Sequence, residues 1–446
     1  MPERCNTAVA LGKTDIHPAF RGHPSRLFVE TTTRCNLSCF MCLKQSTGST
    51  LAEGDLAPDM FEALEPTLPH LETLVLNGIG EPLLHPRLEH FIRRARQLMP
   101  TRSSIGFQSN GLLLTEMRAI SLANAGVDRI CLSLDGASPE TFCAMREGGE
   151  LADLEKALKA LAMAKAICSR DDLQVGVEYV VTRDNLRELP AALRWAASRG
   201  ANFAIVSHLI PYSQAHAPNA LYESCTDAAL SLFYSWKVKA EVAGVKLDRY
   251  HEVLWKYSRT DEEQRIADYV ETIRADARHR GITLDMRKLL QLDWVRLYET
   301  GEVFEEARVA AEETDLDLRL PEVAPMERRR CDFTEQGAMF VSWDGTVHPC
   351  HFLWHGCRIA ANGWEQDVRP RAFGNLADQG IFDIWNSREY RVFRENVLRY
   401  DHPYCSSCAL APCDYLQAEN FEQDCYVNQE PCGSCLWSMG MFQCLS

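Results

Sequence analysis

Between residues 26 and 210 the hydrophobic positions follow two alternating rhythms. Short apolar, β-branched runs fall at 27–30, 73–77, 104–108, 129–134, 175–181 and 203–207, and most end in Gly, Asn, Asp or Ser. Such runs predict strands. Between them, 88–98, 115–125, 154–167 and 186–198 carry apolar residues at helical spacing. Strand–helix alternation with crossovers of this length predicts a parallel sheet. Six units predict an α/β fold, a partial (β/α)6 TIM-like barrel rather than a closed eightfold one. Functional residues are then expected after the C-terminal ends of the strands.

From 211 to about 325 the pattern turns mostly helical, with one strand expected at 282–285. Eight acidic residues and a single Arg in 299–318 predict a solvated helix or linker face. From 331 onward the chain is rich in Cys, Gly and aromatics and too weakly periodic to define a core. Such a region is expected to fold around inorganic centres. The organisation read from the sequence is an N-terminal extension (1–25), a barrel (26–210), a helical insertion or linker (211–330) and a Cys-rich domain with a small β-hairpin (331–446).

Composition narrows the classes. With 46% hydrophobic and 24% charged residues over 446 positions, global disorder is excluded. No run of 18 apolar residues occurs, and the first fifteen residues hold no apolar leader, so a cytoplasmic protein with no membrane partner is expected. A net charge of −15 argues against nucleic acid as a partner. The anomaly is 18 cysteines, ten of them between Cys331 and Cys444. In a chain without an export signal this reads as metal or redox chemistry before disulfides. Cys5, Cys131, Cys143, Cys168 and Cys225 are scattered and expected to be mostly buried structural thiols.

Cys35, Cys39 and Cys42 follow the first strand, on a strand-to-helix loop. Three thiolates this close can hold three irons of a cubane cluster and leave the fourth open to a ligand; a zinc site is the alternative. This Cys-x3-Cys-x2-Cys loop, with Phe40 before the last pair, resembles the radical S-adenosylmethionine (radical SAM) superfamily. The resemblance implies a [4Fe–4S] cluster that chelates SAM and cleaves it reductively to a 5′-deoxyadenosyl radical. Later segments resemble the family in the same order. Gly78-Ile79-Gly80-Glu81-Pro82 ends the second strand and is similar to the segment that binds the methionine amino group. Ser109 and Asn110 end the third and fall near the ribose. Ser133 and Asp135 end the fourth, and Arg146 is placed to pair with the SAM carboxylate. Glu178 and His208 lie on the fifth and sixth strands, His208 reading more simply as a core histidine.

The tail spacings are Cys331-x13-Gly345-x4-Cys350, Cys405-x2-Cys408-x4-Cys413, and Cys425-x6-Cys432-x2-Cys435-x8-Cys444. The first unit reads as a hairpin with strands 339–342 and 346–348 around an Asp-Gly turn. The array resembles the SPASM extension of radical SAM proteins, which holds one or two auxiliary [4Fe–4S] clusters. Phe373–Leu376 and Ile384–Asn386 fit the link between its halves. The resemblance implies one cluster on Cys331, Cys350, Cys425 and Cys357, and a second on Cys405, Cys408, Cys413 and one of Cys435 or Cys444. Gln417 stands where most such proteins have a further cysteine. A structural zinc site on the Cys405 and Cys432 pairs is the rival. His348, His351 and His355 flank Cys350 and read as ordinary histidines.

The resemblance implies an enzyme, an oxidoreductase or maturase that takes hydrogen from a peptide or protein substrate. It would draw electrons from a flavodoxin- or ferredoxin-type donor. The second reading is maturation of a metal cofactor, such as that of a tungsten oxidoreductase, for a partner metalloenzyme; the ending 431–444 looks like a maturase subset of the SPASM proteins. The third is a non-catalytic iron–sulfur or zinc protein. Glu178 and Asp344 are the candidate catalytic carboxylates.

Overall fold

The computed structural model describes residues 17–46, 51–361, 364–410, 413–418 and 421–445. Cys5 and most of the expected N-terminal extension lie outside the described residues. The six expected strands all form: β1 Arg26–Val29, β2 Thr73–Val75, β3 Ser104–Ser109, β4 Arg129–Ser133, β5 Gln174–Val181 and β6 Phe203–His208. Each pairs in parallel with the next. The helices between them start and stop where local chemistry says they should. Thr115 accepts a hydrogen bond from Arg118 N to cap Glu116–Ala125, and Gly126 ends that helix at φ 96°.

The sheet runs past both ends of this set. β7 (Asp317–Arg319) adds in parallel to β6, and β8 (Ala338–Val341) adds in parallel to β1. β8 then turns into β9 (Thr346–His348), so the Cys-rich region's hairpin is fused to the barrel's first edge. Gly345 makes that turn with φ 82°, a conformation that favours glycine. A separate small pair, β10 (Cys357–Ile359) with β11 (Gln366–Val368), is antiparallel, and β12 (Gly374–Asn375) closes the sheet beside β9.

Strand alternation divides the side chains cleanly. Leu27, Val29, Leu74, Ile105, Phe107, Ile130, Leu132, Val175 and Val177 pack outward into one large core with the helices. Phe28, Val75, Cys131, Phe203, Ile205 and Phe340 face inward and form a second cluster, completed by Leu445 from the tail. Two inward positions are glycine. A Cβ on Gly176 would sit 2.4 Å from the Phe203 ring, and one on Gly106 would touch Leu445 at 3.5 Å. The barrel interior is therefore apolar along its middle and polar at both ends, with Arg26, Arg129 and Arg319 at the N-terminal strand ends.

The helical stretch has its own core, built by Asp227–Val242, Asp261–Arg280 and Met286–Leu290 around Phe233, Val270 and Leu289. The strand expected at 282–285 does not form. Asp285 instead caps Met286–Leu290 by accepting from Arg287 N and Lys288 N, which takes the backbone out of extended pairing. The acidic stretch is more than a solvated face. Helix Trp294–Thr314 buries Val303, Phe304, Ala307 and Ala311 against the barrel's outer core while its carboxylates face solvent. Arg194 and Arg187 of the barrel pair with its Glu313 and Glu299.

Among the described residues no helix is long and apolar enough to cross a membrane. Of the scattered cysteines, Cys131 and Cys225 are buried and Cys168 half-buried, but Cys143 is exposed.

Candidate functional site

The cysteine loop after β1 is held by its own framework. Thr32 donates to Asp55 (2.7 Å), Arg34 pairs with the same carboxylate, and Lys44 donates to the Thr33 carbonyl (2.6 Å) and to Glu53 (2.8 Å). Cys35, Cys39 and Cys42 lie within reach of one another's charge. Burial raises the Cys35 and Cys42 thiols above their ordinary range, and the neighbouring sulfurs add to it. Asn110 Nδ2 lies 4.0 Å from Cys35 Sγ, and Arg146 Nη1 lies 3.9 Å from Cys39 Sγ.

The glycines after β2 have a steric cause. A Cβ on Gly80 would lie 2.3 Å from the Thr32 carbonyl oxygen and 2.6 Å from that of Arg34. A Cβ on Gly78 would lie 2.3 Å from Glu30 Cγ. Only glycine lets this loop lie flat on the cysteine loop. Glu81, in the segment expected to meet a ligand, ties two loops together. It is buried and accepts from Leu83 N (3.0 Å), Ser109 Oγ (2.8 Å) and Asn110 N (2.8 Å), joining the second loop to the third. Burial raises its pKa against these bonds. Pro82 opens the short turn Pro82–Leu84 and is itself buried.

Asp135 and Arg146 also turn toward each other. Asp135 is fully buried with φ 54°; its Oδ1 accepts from Val180 N (2.6 Å) and its Oδ2 from Arg146 Nε (2.5 Å). Arg146 thus bonds Asp135 through Nε and Nη2 and keeps Nη1 toward Cys39, beside the loop where pairing with a SAM carboxylate was expected. Ser133, at the end of β4, is buried, with Glu178 as its register partner on β5.

Inward polar groups form a chain across the strand ends. Asn77 donates to Gln108 (2.6 Å), which donates to Glu178 (2.6 Å). Burial raises Glu178 to about 7, partly offset by the charge of Arg146. These three line a cavity of about 300 Å³ at the barrel mouth that also touches Cys42, Gly78 and Cys444. His208 borders it, but is a core histidine. It donates to the Glu322 carbonyl (2.8 Å), packs on Tyr222, and burial lowers it to about 4.

Asp344, the other candidate carboxylate, sits in the β8–β9 turn. It accepts from Ser342 Oγ (2.6 Å) and Thr346 N (3.1 Å), so it holds the β8–β9 turn. His348 donates to the Arg371 carbonyl (3.0 Å) and His351 sits among Phe28, Phe333 and Phe340. Sequence reasoning passed over Glu30. This fully buried carboxylate accepts from Ile79 N (3.1 Å) and from His355 Nε2 (3.1 Å), tying the tail to the glycine loop. Its only sequence signal is a charged residue ending an apolar strand.

The tail cysteines sort into two groups that differ from the expected sets. Cys350 lies within reach of Cys435 and Cys331, and Cys432 of Cys435, Cys350 and Cys331. Cys405 lies near Cys413 and Cys425, and Cys425 near Cys408 and Cys413. Cys425 therefore belongs with Cys405, not Cys331, while Cys435 joins the first group and brings Cys432 with it. Cys357 lies apart, near Asp367. Cys444 borders both the mouth cavity and a second cavity of about 310 Å³ beside Cys331, Cys350 and Cys435. It lies 3.8 Å from His351 Nδ1.

A fold of this kind, with thiols on the first loop and at the sheet's extended edge, defines a cluster-bearing barrel enzyme. Residues 29–196 match the radical SAM superfamily, and residues 331–409 match the SPASM iron–sulfur cluster-binding domain. The chain is a radical SAM enzyme with a SPASM domain, whose cofactors are S-adenosylmethionine and [4Fe–4S] clusters. An enzyme of this class acts on a substrate and needs an external reductant. Over 423 residues, 94% of this chain and 96% of the relative, it is 27% identical to the tungsten-containing aldehyde ferredoxin oxidoreductase cofactor-modifying protein of Pyrococcus furiosus. It is 31% identical over 192 residues to the pre-heme d1 synthase of Dinoroseobacter shibae, covering 43% of this chain and 45% of that protein. Among solved structures it is similar to SuiB of Streptococcus suis bound to S-adenosylmethionine, with a TM-score of 0.50 and 12% identity, covering 87% of this chain and 71% of that one.

The residues present fit such clusters. All cysteines among the described residues are free thiols. Among those residues no three His, Cys, Asp or Glu side chains converge as ligands of a single ion. The thiols gather more loosely, as suits a group in which each thiolate takes its own iron. Among the buried polar atoms without a protein partner in the described residues, Arg329 Nε, both ring nitrogens of His402 and Glu430 Oε2 lie in the tail, and Asn77 Oδ1 and His208 Nδ1 lie at the barrel mouth.

Proposed function

We propose that this enzyme matures a metal cofactor for a partner oxidoreductase, acting on a small-molecule precursor. One observation carries the reading. The similarity to the Pyrococcus furiosus cofactor-modifying protein spans 94% of the chain, and so includes most of the helical stretch that neither domain model reaches. Peptide modification is the second reading.

In this reading Cys35, Cys39 and Cys42 hold the barrel cluster. Cys331, Cys350, Cys432 and Cys435 hold one auxiliary cluster, and Cys405, Cys408, Cys413 and Cys425 the other. When bound, the barrel cluster and SAM supply one-electron cleavage of SAM and a 5′-deoxyadenosyl radical that takes hydrogen from the substrate. The chain's own residues do the positioning. Gly78 and Gly80 open the floor beside the cysteine loop, Glu81 and Asp135 hold the loops, and Glu178, near neutral pKa, holds or releases a proton at the cavity wall.

The test is 5′-deoxyadenosine release under anaerobic reduction. Wild type and Cys42→Ala are supplied with host-type lysate split by ultrafiltration. Stimulation of wild type alone by the small fraction supports a cofactor precursor. Stimulation only by the large fraction moves the assignment to a peptide or protein. Release no higher than in Cys42→Ala overturns both.

A further inference from the structure

Arg329 is a buried cation that forms no ion pair with a carboxylate among the described residues. It is only 7% exposed, in a run of three arginines that reads in sequence as a basic surface patch. Its neighbour Arg330 behaves as such a patch should, pairing with Asp332 and Glu335. Arg329 turns inward instead. Nη2 donates to the carbonyls of Pro403 (2.7 Å) and Gly433 (3.0 Å), and Nη1 to that of Cys432 (3.3 Å). Its guanidinium carbon lies 4.4 Å from the centre of the Tyr404 ring, and its Nε has no protein partner. Glu327 feels its charge, yet among the described residues no ion pair forms between them.

The groups that do face it are thiols from both tail groups: Cys405 of one, Cys435 and Cys432 of the other. The two groups meet here. A Cβ on Gly433, between Cys432 and Cys435, would lie 3.0 Å from Cys405 Sγ. A cation removed from water without a counter-charge is costly. The thiols become anionic on binding metal, which takes the thiolate form.

We propose that Arg329 is the shared counter-ion of the two auxiliary clusters, holding both of their reduction potentials up. This rests on the reading that the two tail groups hold iron–sulfur clusters. Reduction adds one negative charge to a cluster, and a fixed cation nearby stabilises the reduced form. Arg329 is a positioning residue and touches no substrate.

The experiment compares full-length wild type, Arg329→Lys and Arg329→Gln, each in a Cys42→Ala background so that the auxiliary clusters alone are titrated. Iron is counted after anaerobic reconstitution, and potentials are read by EPR-monitored titration. Arg329→Gln is expected to lower both potentials by at least a tenfold change in the oxidised-to-reduced ratio, about 59 mV for a one-electron couple. Arg329→Lys is expected to stay near wild type. Loss of iron from both groups in the Gln variant, with retention in the Lys variant, supports the same role. Unchanged potentials in the Gln variant, an equal change in both variants, or an effect on one cluster only overturns it. Wild-type protein in this background that takes up no auxiliary iron fails the cluster reading itself, and the counter-ion with it.

Discussion

The barrel mouth and the cysteine tail solve the same problem in opposite ways. At the mouth, buried charges are matched by protein groups: Asp135 by Arg146 and Val180 N, Glu81 by three donors, Glu30 by His355 and Ile79 N, Glu178 by Gln108. In the tail, Arg329, His402 and Glu430 keep buried atoms without protein partners, and the regular elements shrink to single turns such as Cys405–Ser407 and Pro431–Ser434. The mouth is held by hydrogen bonds and packing between regular elements, whereas the tail around its thiols has few such elements and is expected to depend on the clusters it holds.

The largest effect should come from removing iron. Chelation is expected to make 400–445 protease-sensitive while 26–210 stays resistant, as read by mass spectrometry of the fragments. Equal loss in both regions would erase the contrast. Next, Cys435→Ser is expected to lose one cluster's worth of iron, whereas Cys444→Ser should lose none, because Cys444, though near Cys435, is a fifth thiol beside a set of four; metal analysis of the reconstituted proteins decides. Asp135→Asn leaves Arg146 buried without its counter-charge, at a cost of about 3–5 kcal/mol in the denaturation midpoint of the barrel. The smallest effect is a pH slope. Glu178 is raised from 4.5 to about 7 in the fold, so its stabilising contribution is full below pH 4.5 and lost as pH rises through about 7. Glu178→Gln should flatten that part of the stability profile, and a wild-type slope of the opposite sign would refute the assignment.

The same contrast explains what the sequence disclosed. The strand alternation of 27–30 or 203–207 writes itself in residue type, because one face must be apolar for helices and the other for the barrel interior. The glycines at 78 and 80 were visible for the same kind of reason, since only that residue fits. The partners of Asp135 and Arg146 were not visible: whether a polar residue faces a ligand or a neighbour depends on contacts between distant segments. The sets Cys331, Cys350, Cys432, Cys435 and Cys405, Cys408, Cys413, Cys425 were hidden likewise. Spacing reports that thiols are near in sequence, and the fold interleaves them. Strand β7 was missed because it joins the sheet from far along the chain and three residues carry little periodicity; β8 was legible as a hairpin strand, but its parallel pairing with β1 was not.

Leu445 gives the barrel a temporal dimension. This residue is packed with Phe28, Val75 and Phe340, and Gln443 N donates to Ser207 Oγ (3.3 Å). The barrel's interior is therefore finished by contacts between opposite ends of the described chain. Contacts of such separation are slow to form, since the intervening loop must close before they reward it. During synthesis the six strands emerge first, with an unfilled apolar interior facing solvent. Until the tail docks, the nascent barrel is a client for whatever protects exposed hydrophobic surface in the cell.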